Sequence, residues 1–159
     1  MGRAANRLIA AGLAAAVLPG TAAASGCAPP AVLRFAPGSS GADVTGGVPR
    51  GERDCYVLQA SRGQTLSLSQ PADDNPADDN PADDNPADNN IVLQIYRPPW
   101  KIVPTATGWT FDGIALPGTE ETRDTREWTG PLPVDGRYLL VVGTSRGGGT
   151  YRVRIQIRR

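Results

Sequence analysis

The side chains best placed for chemistry in this chain are cations on strands and turns, not a catalytic set. Arg152, Arg154 and Arg158 share one face of an alternating stretch and form a cationic stripe on a sheet. Such a stripe can meet an acidic partner, lie as a solvated face balanced by cross-strand carboxylates, or guard the edge if this is the last strand. Arg146 opens Arg146-Gly147-Gly148-Gly149 between two strongly apolar segments. Glycine there allows close approach of a partner, and the arginine presents a charge at the tip. No lysine follows and no helix flanks it, so it is not a phosphate loop; without a partner it reads as a flexible hairpin end. Asp135-Gly136, just before Arg137 and Tyr138, is a turn with hairpin chemistry. Trp100, Trp109 and Trp128 stack on sugar rings if they are exposed, although Trp128, set in a strand, reads as core or near-core. Asp112 pairs with Asp124 or Glu127 only as a formal possibility, because a glycosidase needs two carboxylates at a defined separation and nothing in the chain places them so.

Composition narrows the chemistry further. The chain has 159 residues, the length of one domain, and no histidine. That removes the commonest general base, the usual histidine-activated nucleophiles and most zinc sites. Two cysteines are too few for a cysteine-rich metal site, so neither metal nor cofactor is expected and no catalytic residue is named. Sixteen basic residues balance sixteen acidic ones, and no basic surface argues for nucleic acid. Glycine and proline together number 34, a composition of turns.

The amino terminus reads as an address. Arg3 and Arg7 precede an apolar run over residues 8–18, and Ala22-Ala23-Ala24 supplies small residues for cleavage. A basic start, a short apolar core and a small-residue end make a secretory signal over residues 1–24. The run is too short to span a membrane, which needs about 20 residues. Residues 25–31 then form a linker, and the product is periplasmic or secreted. Ala24-Ser25-Gly26-Cys27 also resembles a lipoprotein signal in which Cys27 would carry the lipid. Plain export instead leaves Cys27 to pair with Cys55 in an oxidising compartment. The two readings exclude each other, and the disulfide is preferred.

Residues 71–90 read PADDN three times and then PADNN, four copies of five residues holding seven of the sixteen acids. Proline at every fifth position and no apolar residue larger than alanine exclude a strand or helix there. A calcium loop would need a glycine turn and a closing glutamate, and both are missing. The segment reads as a disordered acidic loop lengthened by duplication. It separates strands predicted at 64–70 and 91–97, so it is expected within a hairpin. Without it, residues 25–159 carry 14 basic and 9 acidic residues.

The other segments alternate with period 2 or run short and apolar, at 32–36, 43–48, 53–60, 64–70, 91–97, 109–111, 126–129, 137–143 and 151–158. Residues 137–143 are apolar on both faces and predict a central strand. No amphipathic helix is visible outside the leader. Seven to nine short strands in about 108 residues, once the repeat is set aside, predict an all-β chain: an antiparallel, jelly-roll-like β-sandwich over residues 32–159. A monomer is expected.

Four stretches carry a family resemblance: residues 56–66 (YVLQASRGQTL), 95–98 (IYRP), 128–138 (WTGPLPVDGRY) and 142–146 (VGTSR). They resemble the bacterial periplasmic inhibitors of g-type lysozyme and, beyond them, the pre-peptidase C-terminal domain, a small β-sandwich. The resemblance implies a non-enzymatic envelope protein whose partner is a lysozyme-type hydrolase, with a glycan as the alternative ligand. Mapped onto this chain, the partner-binding residues are Asp135, Gly136, Arg137, Tyr138 and Arg146, of which Tyr138 could point into the core instead. The family's Ser-Gly turn is Asp135-Gly136 here.

Overall fold

The computed structural model of the chain describes residues 26–70 and 90–159. The leader over 1–24 and repeat residues 71–89 lie outside them. Nine strands are described: β1 (Ala31–Val32), β2 (Gly41–Val48), β3 (Asp54–Ala60), β4 (Thr65–Ser69), β5 (Ile91–Thr105), β6 (Gly108–Ala115), β7 (Trp128–Pro131), β8 (Gly136–Thr144) and β9 (Gly149–Arg158). They form a five-stranded sheet ordered β1-β3-β8-β5-β6 and a four-stranded sheet ordered β2-β9-β4-β7. All pairings are antiparallel except β1 with β3. No helix among the described residues is long and apolar enough to cross a membrane.

The alternation in the sequence becomes the core. Tyr56, Leu58 and Ala60 of β3, Tyr138, Leu140 and Val142 of β8, and Ile91, Leu93 and Ile95 of β5 share the main cluster with Leu66 and Leu68 of β4. Tyr151, Val153, Ile155 and Ile157 of β9 belong to the same cluster. These are every second residue of their strands, as burial of one face of a pleated ribbon requires. β8 lies at the centre of its sheet and is buried along both faces, as its unbroken apolar run predicts.

Three expectations about connections are corrected. The strands flanking the repeat, β4 and β5, lie in different sheets, so the repeat joins the two layers and does not sit within a hairpin. β7 and β8, on either side of Asp135-Gly136, also lie in different sheets, as do β8 and β9 on either side of residues 145–148. Short turn-rich connections mark reversal of the chain, but crossing to the facing layer reverses it as well as pairing does. β9 is not an edge strand either, because β2 and β4 flank it.

β5 runs much further than residues 91–97. It pairs with β8 only from Ile91 to Tyr96; beyond Pro98-Pro99 its register with β6 shifts, and the remaining residues pair with β6 alone. Proline cannot donate to a ladder, and here the ladder with β8 has stopped at Tyr96 and the register with β6 shifts between Arg97 and Trp100, so neither pairing calls on the missing donors. The resulting two-stranded ribbon would be marginal by itself. Trp100 and Ile102 of β5 and Trp109 and Phe111 of β6 pack against Cys27, Cys55, Val57, Tyr96, Leu139 and Val141. This second cluster occupies the side of the five-stranded sheet that faces away from the main core. The Trp100 Nε1–H donates to the Arg137 carbonyl at 2.6 Å, which fastens the ribbon to β8. Trp128 packs against the main core instead, and its Nε1–H donates to the Pro117 carbonyl at 3.0 Å.

Cys27 and Cys55 form a disulfide, as the exported reading expects. That bond takes the thiol that lipidation of Cys27 would need.

Candidate functional site

The structure does not bring the five candidate residues together. Asp135, Gly136, Arg137 and Tyr138 stand at the start of β8, and Arg146 lies past its end. The strand between Arg137 and Thr144 spans about 24 Å at roughly 3.4 Å per residue.

At the first end, most of the set serves the fold. The Arg62 backbone N–H donates to Asp135 Oδ1 at 2.8 Å, tying the β7–β8 connection to the β3–β4 turn. Gly136 has φ +136° and packs on Pro98; a Cβ there would come within 2.9 Å of the Pro98 Cγ. Tyr138 is corrected from a contact residue to a core residue. It is 1% exposed, and its hydroxyl donates to the Val134 carbonyl at 2.8 Å and accepts from the Val134 N–H at 3.1 Å. A β-strand alternates its faces, so Tyr138 points inward wherever Leu140 and Val142 do. Arg137 faces the other way and is exposed, opposite Gln59 of β3.

At the second end, residues 145–148 are all exposed. The Thr144 hydroxyl donates to the Gly147 carbonyl at 2.8 Å, and Gly147 has φ +62°, a backbone state that glycine adopts without penalty. Gly148 lies against the β2–β3 turn, where a Cβ would sit 3.0 Å from the Val48 carbonyl oxygen. The Ser145 N–H donates to the Asn90 carbonyl at 2.8 Å, and the Arg146 Nε–H donates to Asn90 Oδ1 at 3.3 Å. The loop is thus held at its stem and along one flank while its arginine stays at the surface. Asn90 was not legible as a partner: it closes the fourth repeat copy and matches the asparagine of every other copy, so nothing set it apart.

The remaining chemistry is dispersed. Asp112 stands opposite Lys101 on the ribbon, while Asp124 and Glu127 border a shallow depression with Arg123 and Arg126. No group of three or more potential metal ligands occurs among the described residues. Trp100 and Trp109 are partly buried as packing for the ribbon, which removes them as open stacking platforms.

The arginine stripe is ordered by one carboxylate. Asp43 of β2 is the cross-strand partner of Arg154. Its Oδ1 accepts from Arg154 Nε at 3.1 Å, and its Oδ2 accepts from Arg152 Nη2 at 3.0 Å. The hydrogen bond from Arg154 holds the Asp43 carboxyl below the usual carboxylate range; partial burial opposes this, and Arg152 adds to it. A carboxylate with a lowered folded-state pKa stabilises the fold above its unfolded pKa near 4, and that contribution vanishes as pH falls through the folded value. Asp43→Asn is therefore expected to cost about 1 kcal/mol at pH 7, given a half-exposed pair. Urea unfolding at pH 7 and again near pH 2.5 checks this: the gap between variant and wild type should close at the lower pH.

No protein-family profile matches the chain, and no curated protein matches it. Solved structures do. The chain is similar to Aeromonas hydrophila PliG, a periplasmic lysozyme inhibitor of g-type lysozyme, with TM-score 0.53 and 19% identity over 80% of this chain and 95% of that one. It is also similar to a mutant of the corresponding Escherichia coli inhibitor, with TM-score 0.50 and 19% identity over 80% of this chain and 96% of that one. At such identities the likeness is one of fold, and it covers nearly the whole length of both neighbours.

Proposed function

We propose that this chain is an exported, non-enzymatic binding protein of the bacterial envelope, and that it inhibits a lysozyme by inserting residues 145–148 into the enzyme's cleft. The observation that carries the reading is the exposed loop with its stem fixed by Thr144 and its flank fixed by Asn90. A held loop loses little freedom on docking. Glycoside hydrolases line their clefts with carboxylates. A guanidinium entering such a cleft makes charge-assisted bonds to them, and Ser145 beside it adds a hydroxyl. The fold neighbours, described as periplasmic inhibitors of g-type lysozyme, support both the partner class and a periplasmic location.

The test is a titration of the protein lacking residues 1–24 against g-, c- and i-type lysozymes. Stoichiometric inhibition of the g-type enzyme is expected. Truncating one partner of a buried, hydrogen-bonded charge pair costs about 2–5 kcal/mol, so Arg146→Ala should weaken inhibition at least thirtyfold. Loss in Arg137→Ala with none in Arg146→Ala would move the contact to the far end of β8. No inhibition at micromolar protein would end the reading.

A further inference from the structure

Residues 145–148 do not stand alone at their end of the sandwich. Gly148 packs so closely on the β2–β3 connection that a Cβ there would lie 3.0 Å from the Val48 carbonyl oxygen and 3.4 Å from the Arg50 nitrogen. That connection is a tight turn. The Glu52 N–H donates to the Pro49 carbonyl at 3.0 Å, and Gly51, third of the four residues, has φ +82°, the positive value that a type II turn requires there. The Arg53 Nη1–H donates to the Glu52 carbonyl at 2.8 Å, while the Arg53 side chain lies over Gly143 of β8. Gly51 also meets the tip of the β5–β6 ribbon, where a Cβ on Gly108 would come within 3.6 Å of the Gly51 carbonyl oxygen. Three tips thus touch through glycines. Arg50, second in the turn, is exposed and makes no ion pair with a described residue. Glu52, the acid of the turn, is exposed as well.

We propose that this turn is a second contact of the docking surface, with Arg50 meeting an acidic group on the rim of the cleft that residues 145–148 enter. The inference rests on the loop-insertion reading and adds a residue which that reading does not use. Two residues of extended chain span about 7 Å, so the Arg50 nitrogen lies at most about 12 Å from the Arg146 Cα. That span is comparable with the Debye length of about 10 Å in 0.1 M salt, so an acidic surface that attracts one arginine attracts the other. The turn is fixed before docking by its own hydrogen bond, by Arg53 and by the contact with Gly148, so little backbone freedom is lost when a partner arrives. Glycine at 148 then has a reason: a side chain there would part the loop from the turn. Charges on the rim of an interface act chiefly on the association rate and its salt dependence. Glu52 opposes an acidic partner from the same turn, which gives the proposal a test of opposite sign.

Rates of association with immobilised g-type lysozyme, measured at low and high salt on the protein lacking residues 1–24, test the assignment, with thermal unfolding to confirm that each variant is folded. Arg50→Glu should slow association about tenfold at low salt, and the gap should shrink at high salt as the charges are screened. Arg50→Ala should weaken binding about two- to fivefold. Glu52→Gln should speed association about twofold at low salt, a gain that a purely structural role would not give. Arg62→Glu makes the same change of charge at the opposite end of the sandwich, beside Asp135, and should alter the rate less than about twofold. If Arg146→Ala weakens binding but Arg50→Glu does no more than Arg62→Glu, or acts equally at both salts, this proposal is overturned and the loop-insertion reading stands. A wild type that neither binds nor inhibits would overturn both, and so would a loss in Arg137→Ala with none in Arg146→Ala.

Discussion

Replacing Cys27 and Cys55 together by alanine is expected to cost about 3–4 kcal/mol. The bond closes a 28-residue separation, and the chain-entropy relation gives that amount for a loop of this length. The geometry around it argues that little of the effect is lost to relaxation. Cys27 is 1% exposed and Cys55 fully buried, both within the second cluster beneath the ribbon. The first described segment has few other anchors. The Cys55 N–H donates to the Gly26 carbonyl at 3.2 Å, and β1 is a two-residue strand on the edge of β3. Without the bond, that segment would leave β3 and expose part of the second cluster. Urea unfolding of the double variant beside wild type measures the difference, and a loss under 1 kcal/mol would show that packing alone holds the segment. Burial also predicts resistance to reductant: dithiothreitol should reduce the wild type at a rate that tracks unfolding.

The strands were legible because this sandwich obeys period 2 almost everywhere. Residues 151–158 place Tyr, Val, Ile and Ile inward and three arginines outward, and the structure keeps that assignment along β9. β8 revealed its central place by being apolar on both faces, since only a strand covered on both sides can be so. Pairing was not legible. Asp135-Gly136 and the triple glycine have the local chemistry of hairpins, but a turn's residues fix how the chain reverses, not which layer receives it. The second layer was hidden for another reason. Pro98-Pro99 punctuates the sequence like the end of a strand, and β5 continues past two residues without donors because its pairing with β8 stops at Tyr96 and its register with β6 shifts between Arg97 and Trp100. Val57, Leu139 and Val141 could be read as buried, but their cover, Trp100 to Phe111, lies on a ribbon that local signals break into fragments.

The candidate site shows the same division. The glycine-rich loop and the resemblance both point to Arg146, the resemblance alone points to Arg137, and both are exposed. What sequence could not say is that a nine-residue strand separates them, because proximity along a resemblance is not proximity in space. Nor could it show that Asp135 and Gly136 are committed to neighbours, since those neighbours, Arg62 and Pro98, come from other turns.

The buried polar chain at the other end of β3 sets the second large effect. Asp54 is 5% exposed, with its Oδ2 accepting from the Tyr151 hydroxyl at 2.7 Å and its Oδ1 from the Gly26 N–H at 2.9 Å. The Tyr151 and Tyr56 hydroxyls lie 2.6 Å apart, so one carboxylate joins both sheets and the disulfide-bound segment. Gly46 makes room for this, since a Cβ there would meet the Tyr151 oxygen at 2.5 Å. Asp54→Ala deprives two donors of their acceptor at once, each worth about 1–3 kcal/mol when buried, for an expected loss of about 3–4 kcal/mol. Tyr151→Phe deletes one hydroxyl and should cost about 1–2 kcal/mol. Because the two side chains share a bond, the double variant should cost less than the sum of the singles, by about 1 kcal/mol or more. Strict additivity would mean that the two act separately. pH supplies an independent check. Burial first, and then the bonds to Tyr56 and Asp54, push the Tyr151 hydroxyl far above its usual range. In the unfolded chain it ionises near pH 10, so above that pH the unfolded state binds fewer protons and stability falls. Tyr151→Phe removes that residue's share of the decline, so its stability should fall less steeply than the wild type's between pH 9 and about 11.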